Sequence, residues 1–113
     1  MSTTRAPMLL VAIAVMVTLF AAVAYAAVID GTDKDDVLYE SNRSDTIHGN
    51  DGFDTIRAWQ FSRDEDNLYG DAGRDTLNAR DGDNRDTLNG GKGDDTCKGD
   101  PLDTYHNCQI INP

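Results

Sequence analysis

A short motif centred on aspartate recurs through most of the chain at a nearly constant interval, and this periodicity constrains the fold more than any other feature. Successive motif aspartates are separated by 9, 9, 12, 9, 11, 9 and 8 residues, so a period of nine dominates. Repetition at a short fixed period indicates stacked units of one structural type. The aspartates are Asp36, Asp45, Asp54, Asp66, Asp75, Asp86, Asp95 and Asp103.

Each unit reads as one turn followed by one short strand. Glycine and aspartate, which favour turns, precede the motif aspartate, and three residues with an apolar one in the middle follow it. Since one apolar residue per unit cannot form a core alone, the units must stack, which predicts an all-β parallel β-solenoid of short strands and Gly/Asp turns. The middle residues are Leu38, Ile47, Ile56, Leu68, Leu77, Leu88, Cys97 and Tyr105.

The N-terminal segment has the pattern of an export signal. Arg5 precedes an uncharged run over residues 8–24, and small residues flank position 25, which predicts a signal peptide over 1–26. The alternative is an uncleaved membrane anchor, because the apolar run extended to Ile29 approaches the roughly 20 residues that span a bilayer. Both readings place the remainder outside the cytoplasm, either secreted or anchored at the cell surface.

The predicted mature chain is one small acidic domain. Residues 27–108 would form the repeats with a C-terminal cap, and residues 109–113 a tail. Nine Lys and Arg against twenty Asp and Glu give this part a net charge of −11, against −10 for the whole chain. Such a surface repels nucleic acid and anionic lipid and attracts cations, so we expect no nucleic-acid partner and no membrane contact beyond a possible N-terminal anchor.

The two cysteines, Cys97 and Cys108, lie near the C-terminus. In an exported chain they predict a disulfide, which would tie the cap over residues 101–108 back to the repeats. The alternative, a thiolate metal site, lacks the four-ligand cluster that such a site needs.

Three stretches carry a resemblance to a known family. "GGKGDDTCK" at 90–98, "GDAGRDTLN" at 70–78 and "GNDGFDTIR" at 49–57 resemble G-G-x-G-x-D-x-U-x, where U is a large apolar residue. This is the nonapeptide of hemolysin-type calcium-binding (RTX) repeats. The resemblance covers residues 31–106 and implies a β-roll with two nonapeptides per coil, so that turns fall alternately on two edges and ions lie between successive turns of one edge.

Calcium is also the ion that the residues favour. Glycine lets the backbone aim its carbonyls at one point, the aspartate adds a carboxylate, and Ca²⁺ accepts six to eight such oxygens at flexible geometry. The resemblance sorts the turns into a first edge, at 31–36, 49–54, 70–75 and 90–95, and a second edge, at 40–45, 58–66, 79–86 and 99–103. The well-formed turns all lie on the first edge.

We therefore predict two calcium sites on the first edge, one between Asp54 and Asp75 and one between Asp75 and Asp95. A third, between Asp36 and Asp54, has Lys34 where the nonapeptide has glycine. The predicted metal-binding residues are Asp36, Gly49, Asp51, Gly52, Asp54, Gly70, Asp71, Gly73, Asp75, Gly90, Gly91, Gly93 and Asp95.

The second edge carries both insertions and the deletion, and lacks most of the glycines. Its turns contain arginines, namely Arg43, Arg63, Arg80 and Arg85. We predict that these arginines form salt bridges with the turn aspartates in place of ions, which would make this edge independent of calcium.

Two functional classes follow. The first is a secreted, monomeric calcium-binding protein whose β-roll folds on, or is stabilised by, Ca²⁺. The second is an extracellular structural or adhesive spacer with an unidentified extracellular partner, in which calcium acts only as a staple. Exposure of Trp59 and Phe61 would favour this second class, and the alternative is that they pack with the insertion against the roll. A catalytic role is not expected, because the sequence has neither G-x-S-x-G nor H-E-x-x-H, and its paired aspartates repeat with the turns.

Overall fold

A computed structural model describes residues 26–58 and 63–113. These residues form ten three-residue strands, and no helix among them is long and apolar enough to cross a membrane. In chain order the strands are β1 (Val28–Asp30), β2 (Val37–Tyr39), β3 (Thr46–His48), β4 (Thr55–Arg57), β5 (Asn67–Tyr69), β6 (Thr76–Asn78), β7 (Thr87–Asn89), β8 (Thr96–Lys98), β9 (Thr104–His106) and β10 (Ile110–Asn112).

The strands alternate between two parallel sheets. Odd-numbered strands form one sheet in the order β1-β3-β5-β7-β9, and even-numbered strands form the other in the order β10-β8-β6-β4-β2. Each coil thus contains one strand from each sheet and one turn on each edge. The predicted all-β parallel solenoid, and the assignment of alternate turns to two edges, are confirmed.

The irregular spacing of the repeats does not disturb the strand register. Thr46 pairs with Asn67 and Thr55 with Thr76, a step of 21 residues, whereas Val28 pairs with Thr46, a step of 18. The additional residues lie in second-edge turns, between β4 and β5 and between β6 and β7. Because the insertions leave the strands three residues long, the central residues of β3 to β8 are all buried inside the coil.

The core is a single column of these central residues. Ile47, Ile56, Leu68, Leu77 and Leu88 are fully buried between the two sheets, together with Cys97. The flanking strand positions are more exposed, as expected for a period of two on short strands. A core this thin leaves a large share of the stability to the turns.

The ends of the roll differ from the prediction. β1 was not expected, because its segment lacks a preceding Gly/Asp turn, and residues 109–113, predicted as a tail, are not one: Ile110–Asn112 forms β10 against β8. The predicted cap contributes β9 to the opposite sheet. The Cys97–Cys108 disulfide is formed and joins β8 to the β9–β10 connection. The proposed signal over 1–26 falls almost wholly outside the described residues, as do Trp59 and Phe61.

Candidate metal centre

The motif aspartates form two side-chain ladders, one along each edge. In six of them the Oδ1 atom accepts a hydrogen bond from the backbone N–H of the motif aspartate one coil earlier, whereas the Oδ1 of Asp45 accepts the Ala27 N–H at 2.7 Å. On the first edge Asp54, Asp75 and Asp95 cap the N–H groups of Asp36, Asp54 and Asp75, each at 2.8 Å. On the second edge Asp66, Asp86 and Asp103 cap those of Asp45, Asp66 and Asp86, at 2.8, 2.9 and 3.1 Å. One carboxylate oxygen per residue is thereby committed to the fold.

The second oxygen of the central aspartates has no protein partner. Among the described residues, Oδ2 is buried and unbonded in Asp54, Asp75 and Asp95 on the first edge, and in Asp66 and Asp86 on the second. These five side chains are at most 1 % exposed. A buried carboxylate oxygen without a partner carries a substantial desolvation cost, so each of these atoms requires a ligand or a proton.

The pKa values of these carboxyls reflect that cost. The pKa of Asp75 is raised to about 7, chiefly by burial and also by the charges of Asp54 and Asp95, against the opposing effect of the bond from the Asp54 N–H. Burial is also the main cause for Asp66, whose pKa rises to about 7, and for Asp86, whose pKa rises to about 8. A cation close to these oxygens would favour the ionised form again.

The first-edge turns have a backbone that only certain residues adopt. At the fourth nonapeptide position Gly52, Gly73 and Gly93 have φ of 109°, 125° and 119°. A side chain at Gly73 would collide with the carbonyl oxygen of Gly52 in the adjacent turn. In these three turns the second position is also left-handed, and where it is not glycine it is Asn50 or Asp71, residue types that tolerate this region. The departures from the nonapeptide at that position therefore preserve the turn.

Carbonyl and carboxylate oxygens converge beside the first glycine of each first-edge turn. A Cβ on Gly70 would stand 2.6 Å from Asp75 Oδ2 and 2.7 Å from the Gly90 carbonyl oxygen. A Cβ on Gly49 would stand 2.5 Å from Asp54 Oδ2 and 2.8 Å from the Gly70 carbonyl oxygen. This mixed set of hard oxygens, in a space that only glycine leaves open, fits calcium.

The first edge is closed differently at its two ends. In the turn at 31–36, the Asp36 Oδ2 atom accepts hydrogen bonds from the Thr32 N–H at 2.6 Å and the Thr32 hydroxyl at 3.0 Å, so the local turn occupies it. At the other end, Gln109 Oε1 accepts the Asp95 N–H at 2.7 Å and takes the place of a further aspartate. No motif precedes Gln109, so the repeat pattern does not predict this role.

Two predicted aspartates do not share the buried row. The Asp51 side chain is exposed, and Asp71 Oδ2 lies 3.2 Å from both His48 Nδ1 and the Asn50 N–H. The His48 ring also stacks on Tyr69, with centroids 4.7 Å apart, on the outer face of the sheet. The Asp71 carbonyl instead accepts the Lys92 N–H at 2.7 Å, and this bond ties the two adjacent turns together. The backbone of Gly91 lies against that same carbonyl.

The salt bridges predicted for the second edge are not formed, so this prediction is wrong. Within the described part of the chain Arg43, Arg63 and Arg85 make no ion pair with the turn aspartates. Arg80 Nη2 donates to Asn112 Oδ1 at 2.9 Å and to the Asn112 carbonyl at 2.8 Å, against the C-terminal strand.

Second-edge carboxylates instead group among themselves. Oxygens of each group lie within 4.8 Å of one another. The groups are Asp64, Asp81 and Asp83; Asp66, Asp81 and Asp86; Asp83, Asp86 and Asp103; and Glu40, Asp45 and Asp66. Asp64, Asp81 and Asp83 were missed because they occupy positions where the nonapeptide has glycine or any residue; the signal was their spacing of two to five residues from Asp66 and Asp86.

Comparison with known proteins agrees with this geometry. The family model of the RTX calcium-binding nonapeptide repeat (4 copies) matches residues 41–60, 62–97 and 83–101, more than half of the chain. Neither the curated proteins nor the solved structures yielded a match. The matched residues contain the central turns of both edges, with the buried aspartates described above. The chain belongs to the family of RTX calcium-binding nonapeptide repeat proteins.

Proposed function

We propose that this chain is a secreted calcium-binding protein whose β-roll is stabilised by Ca²⁺ held between the stacked turns of the first edge. The carboxylates of Asp54, Asp75 and Asp95 would hold the ions together with the carbonyls of the turn glycines. Asp75 lies between its two neighbours in the row and would serve two adjacent sites.

The observation that carries this proposal is the row of buried, unpartnered Oδ2 atoms beside glycine carbonyls. Calcium would supply positive charge where the fold has concentrated negative charge. Without it, each ionised aspartate is desolvated and faces like charges one coil away. With it, those same oxygens become ligands. Binding to the folded state alone stabilises that state by mass action.

Export is supported by the sequence. The basic, apolar and small-residue order of residues 5–26 is that of a signal peptide, and the Cys97–Cys108 disulfide suits an oxidising compartment. Calcium outside cells reaches about 1 mM, which would occupy sites with a dissociation constant of about 0.1 mM and stabilise the fold by roughly 1.4 kcal/mol per site.

The test is far-UV circular dichroism of the oxidised, exported chain during a calcium titration, with magnesium at the same concentrations as the control. We expect calcium, and not magnesium, to increase the strand signal or the melting temperature, because magnesium requires a near-octahedral shell and retains its waters. A spectrum and a melting temperature that do not change with calcium would refute the proposal.

A spacer or adhesive role is the second candidate, and one observation favours it. Apolar side chains are exposed on the terminal strands, with Val28 72 % and Ile110 60 % exposed. A partner that covered these ends would make the roll one segment of a longer assembly. Sedimentation of the calcium-loaded chain separates the two roles, since a purely calcium-binding protein remains monomeric at all concentrations.

A further inference from the structure

The two ends of the roll carry most of its exposed apolar side chains. Among the described residues seven large apolar side chains are exposed, and five of them lie on the terminal strands. They are Val28 on β1, Val37 and Tyr39 on β2, and Ile110 and Ile111 on β10. Apolar surface concentrated in this way is typical of a surface that another molecule covers.

These side chains occupy strand positions that are polar elsewhere in the roll. The first residue is threonine in five of the six strands from β3 to β8 and asparagine in the sixth. In the first coil it is Val28 and Val37, and in β10 it is Ile110. The apolar replacements are thus placed where a strand has a neighbour on one side only.

The two ends also match in strand order. Ten strands in two sheets make five complete coils, so each end presents one strand of each sheet. The N-terminal end consists of β1 and β2, and the C-terminal end of β9 and β10. Every pairing inside the roll is parallel. A second copy moved along the axis of the roll therefore places its β1 beside β9 and its β2 beside β10, both in the parallel direction.

The register of the roll can continue across such a junction. It would place Ile29 beside Tyr105 in one sheet and Leu38 beside Ile111 in the other, which extends the apolar column. Ile29, Leu38 and Tyr105 are half-buried and Ile111 is 49 % exposed, whereas the central residues of β3 to β8 are fully buried. Covering these four side chains removes apolar surface from water, which favours association.

The outward positions are complementary in the same register. Val37 would lie against Ile110, two apolar side chains that are each 60 % exposed. Asp30 would lie against His106, so that a carboxylate meets an imidazole. Inside the roll the register partner of Asp30 is already a histidine, His48. The junction thus repeats a pairing that the roll itself contains.

Charge favours contact between unlike ends over contact between like ends. The first-edge turn of the first coil holds three aspartates, at 33, 35 and 36, against one lysine at 34. Two N-terminal ends placed together would bring these acidic turns close to each other. A C-terminal end offers His106 instead, together with Arg80, whose Nη2 donates to the Asn112 carbonyl at 2.8 Å.

Main-chain hydrogen bonds set the limit of the match. Inside the roll the N–H that follows a strand donates to the carbonyl at the end of the next strand in its sheet, as Gly31 does to His48 at 2.7 Å. Across the junction the N–H of Asn107, which follows β9, would reach the Asp30 carbonyl of the next copy. Pro113 follows β10 and has no N–H, so the second sheet forms one bond fewer.

We propose that the roll associates head to tail with further copies of this chain, with β9 and β10 of one copy pairing with β1 and β2 of the next. The inference deepens the spacer role, since it names a second copy as the partner, and it does not depend on where calcium binds. Each copy in contact keeps one free end of either kind. The contact is therefore heterologous and builds an open row of rolls.

The test is sedimentation equilibrium of the oxidised, exported chain in saturating calcium, from about 10 µM to about 1 mM. Val37→Lys blocks the N-terminal end and Ile110→Lys the C-terminal end, because a lysine on an edge strand opposes pairing. Thr76→Lys is the matched control. It changes the same strand position on β6, which has a neighbouring strand on both sides inside the roll.

We expect the average mass of the parent and of Thr76→Lys to increase with concentration beyond that of a dimer. Each blocked variant alone should associate at least tenfold more weakly. A parent that is monomeric at all concentrations would overturn the inference. Association lost in Thr76→Lys would also overturn it, because the contact would then lie on the side of the roll.

Mixing the two blocked variants tests the direction of the contact. The free C-terminal end of Val37→Lys and the free N-terminal end of Ile110→Lys should form a dimer and nothing larger. Either variant dimerising alone as strongly as the parent, or a mixture that stays monomeric, would refute head-to-tail contact. If a lysine variant does not fold in calcium, threonine, which the inner strands have at this position, replaces the lysine.

A charge exchange tests the register. His106→Asp should weaken association about fivefold, because it places two carboxylates in contact, and adding Asp30→His should restore most of the loss. Unchanged association in His106→Asp would overturn this register.

Failure of this inference and failure of the calcium proposal have different signatures. A parent that gains strand signal or melting temperature with calcium but stays monomeric refutes the assembly alone. A parent that associates with the same strength in calcium and in chelator, with no change in its spectrum or melting temperature, supports the assembly and refutes the calcium proposal.

Discussion

Replacing Asp75 with asparagine should change the stability of the protein in opposite directions with and without calcium. Asparagine keeps the side-chain oxygen that caps the Asp54 N–H at 2.8 Å, so the ladder remains intact. It removes the negative charge whose burial raises the pKa of Asp75 to about 7. In chelator the variant should therefore be more stable than the parent chain.

The size of the gain follows from the pKa. A rise from 3.8 to about 7 sets an upper limit of roughly 4 kcal/mol on the cost of the ionised carboxylate above pH 7. We expect about 1 to 2 kcal/mol, because solvent and counterions at the open edge screen the charge. In saturating calcium the variant loses a ligand from two adjacent sites. At a tenfold loss of affinity per site, this destabilises it by about 3 kcal/mol.

The assay is urea unfolding monitored by circular dichroism at pH 8, once in chelator and once in calcium at about 100-fold the parent midpoint. Sucrose is added equally to both if the apo chain does not fold alone. Asp30→Asn should leave both free energies of unfolding within about 0.5 kcal/mol of the parent. A variant less stable than the parent in both conditions would refute the reasoning, because Asp75 would then act only as part of the hydrogen-bonded fold.

Three further results are expected. Gly73→Ala should destabilise the calcium-loaded chain by about 3 kcal/mol or more, because the new methyl meets the carbonyl of the adjacent turn. Gly82→Ala, where φ is 97° and the surrounding space is open, should cost only about 1 kcal/mol. Equal melting temperatures for the two variants would contradict this expectation. Buried aspartates such as Asp86, whose pKa is about 8 in the folded chain against 3.8 otherwise, bind more protons when the chain is folded. The apo chain should therefore be more stable at pH 5 than at pH 8.5 by more than about 1 kcal/mol, whereas calcium affinity should increase from pH 5 to pH 8.5. Thermal melts in chelator measure the change in stability with pH, and calorimetry in calcium measures the change in affinity. Replacing Cys97 and Cys108 by serine removes a bridge between residues 11 apart and should cost about 3 kcal/mol in denaturant unfolding, and a loss under 0.5 kcal/mol would show that β10 holds the end of the roll without it.

The repeat period carried most of the information about the fold. Position in the nonapeptide sufficed to predict that Leu77 faces inward and that Gly73 and Gly93 share an edge, because a strand of three residues has only one inward position. β1 and β10 could not be predicted in this way. Ile110–Asn112 follows no Gly/Asp turn, and it joins the sheet because β8 offers an unpaired edge and the disulfide brings the chain back to it.

The site was less predictable than the fold. The first-edge aspartates followed from the motif, but the grouping of Asp64 with Asp81 depends on two turns from different coils lying side by side, which spacing along the chain does not show. The arginine prediction failed for a similar reason. Opposite charges close in sequence suggested ion pairs, but Arg63 and Arg85 are exposed whereas the turn carboxylates are buried.

The aspartate ladders also set the order in which the coils can be completed as the chain is synthesised. Seven of the eight motif N–H groups are capped by a residue 14 to 21 positions later in the chain, and the exception is Asp103, whose N–H bonds back to the Asp100 carbonyl. A ribosome makes the chain from its N-terminus, so each coil exists before the oxygen that completes it has been synthesised. The last cap on the first edge comes from Gln109, which lies beyond the final repeat. The first edge therefore stays one cap short of completion until the residues that follow the last strand of the repeats have been made.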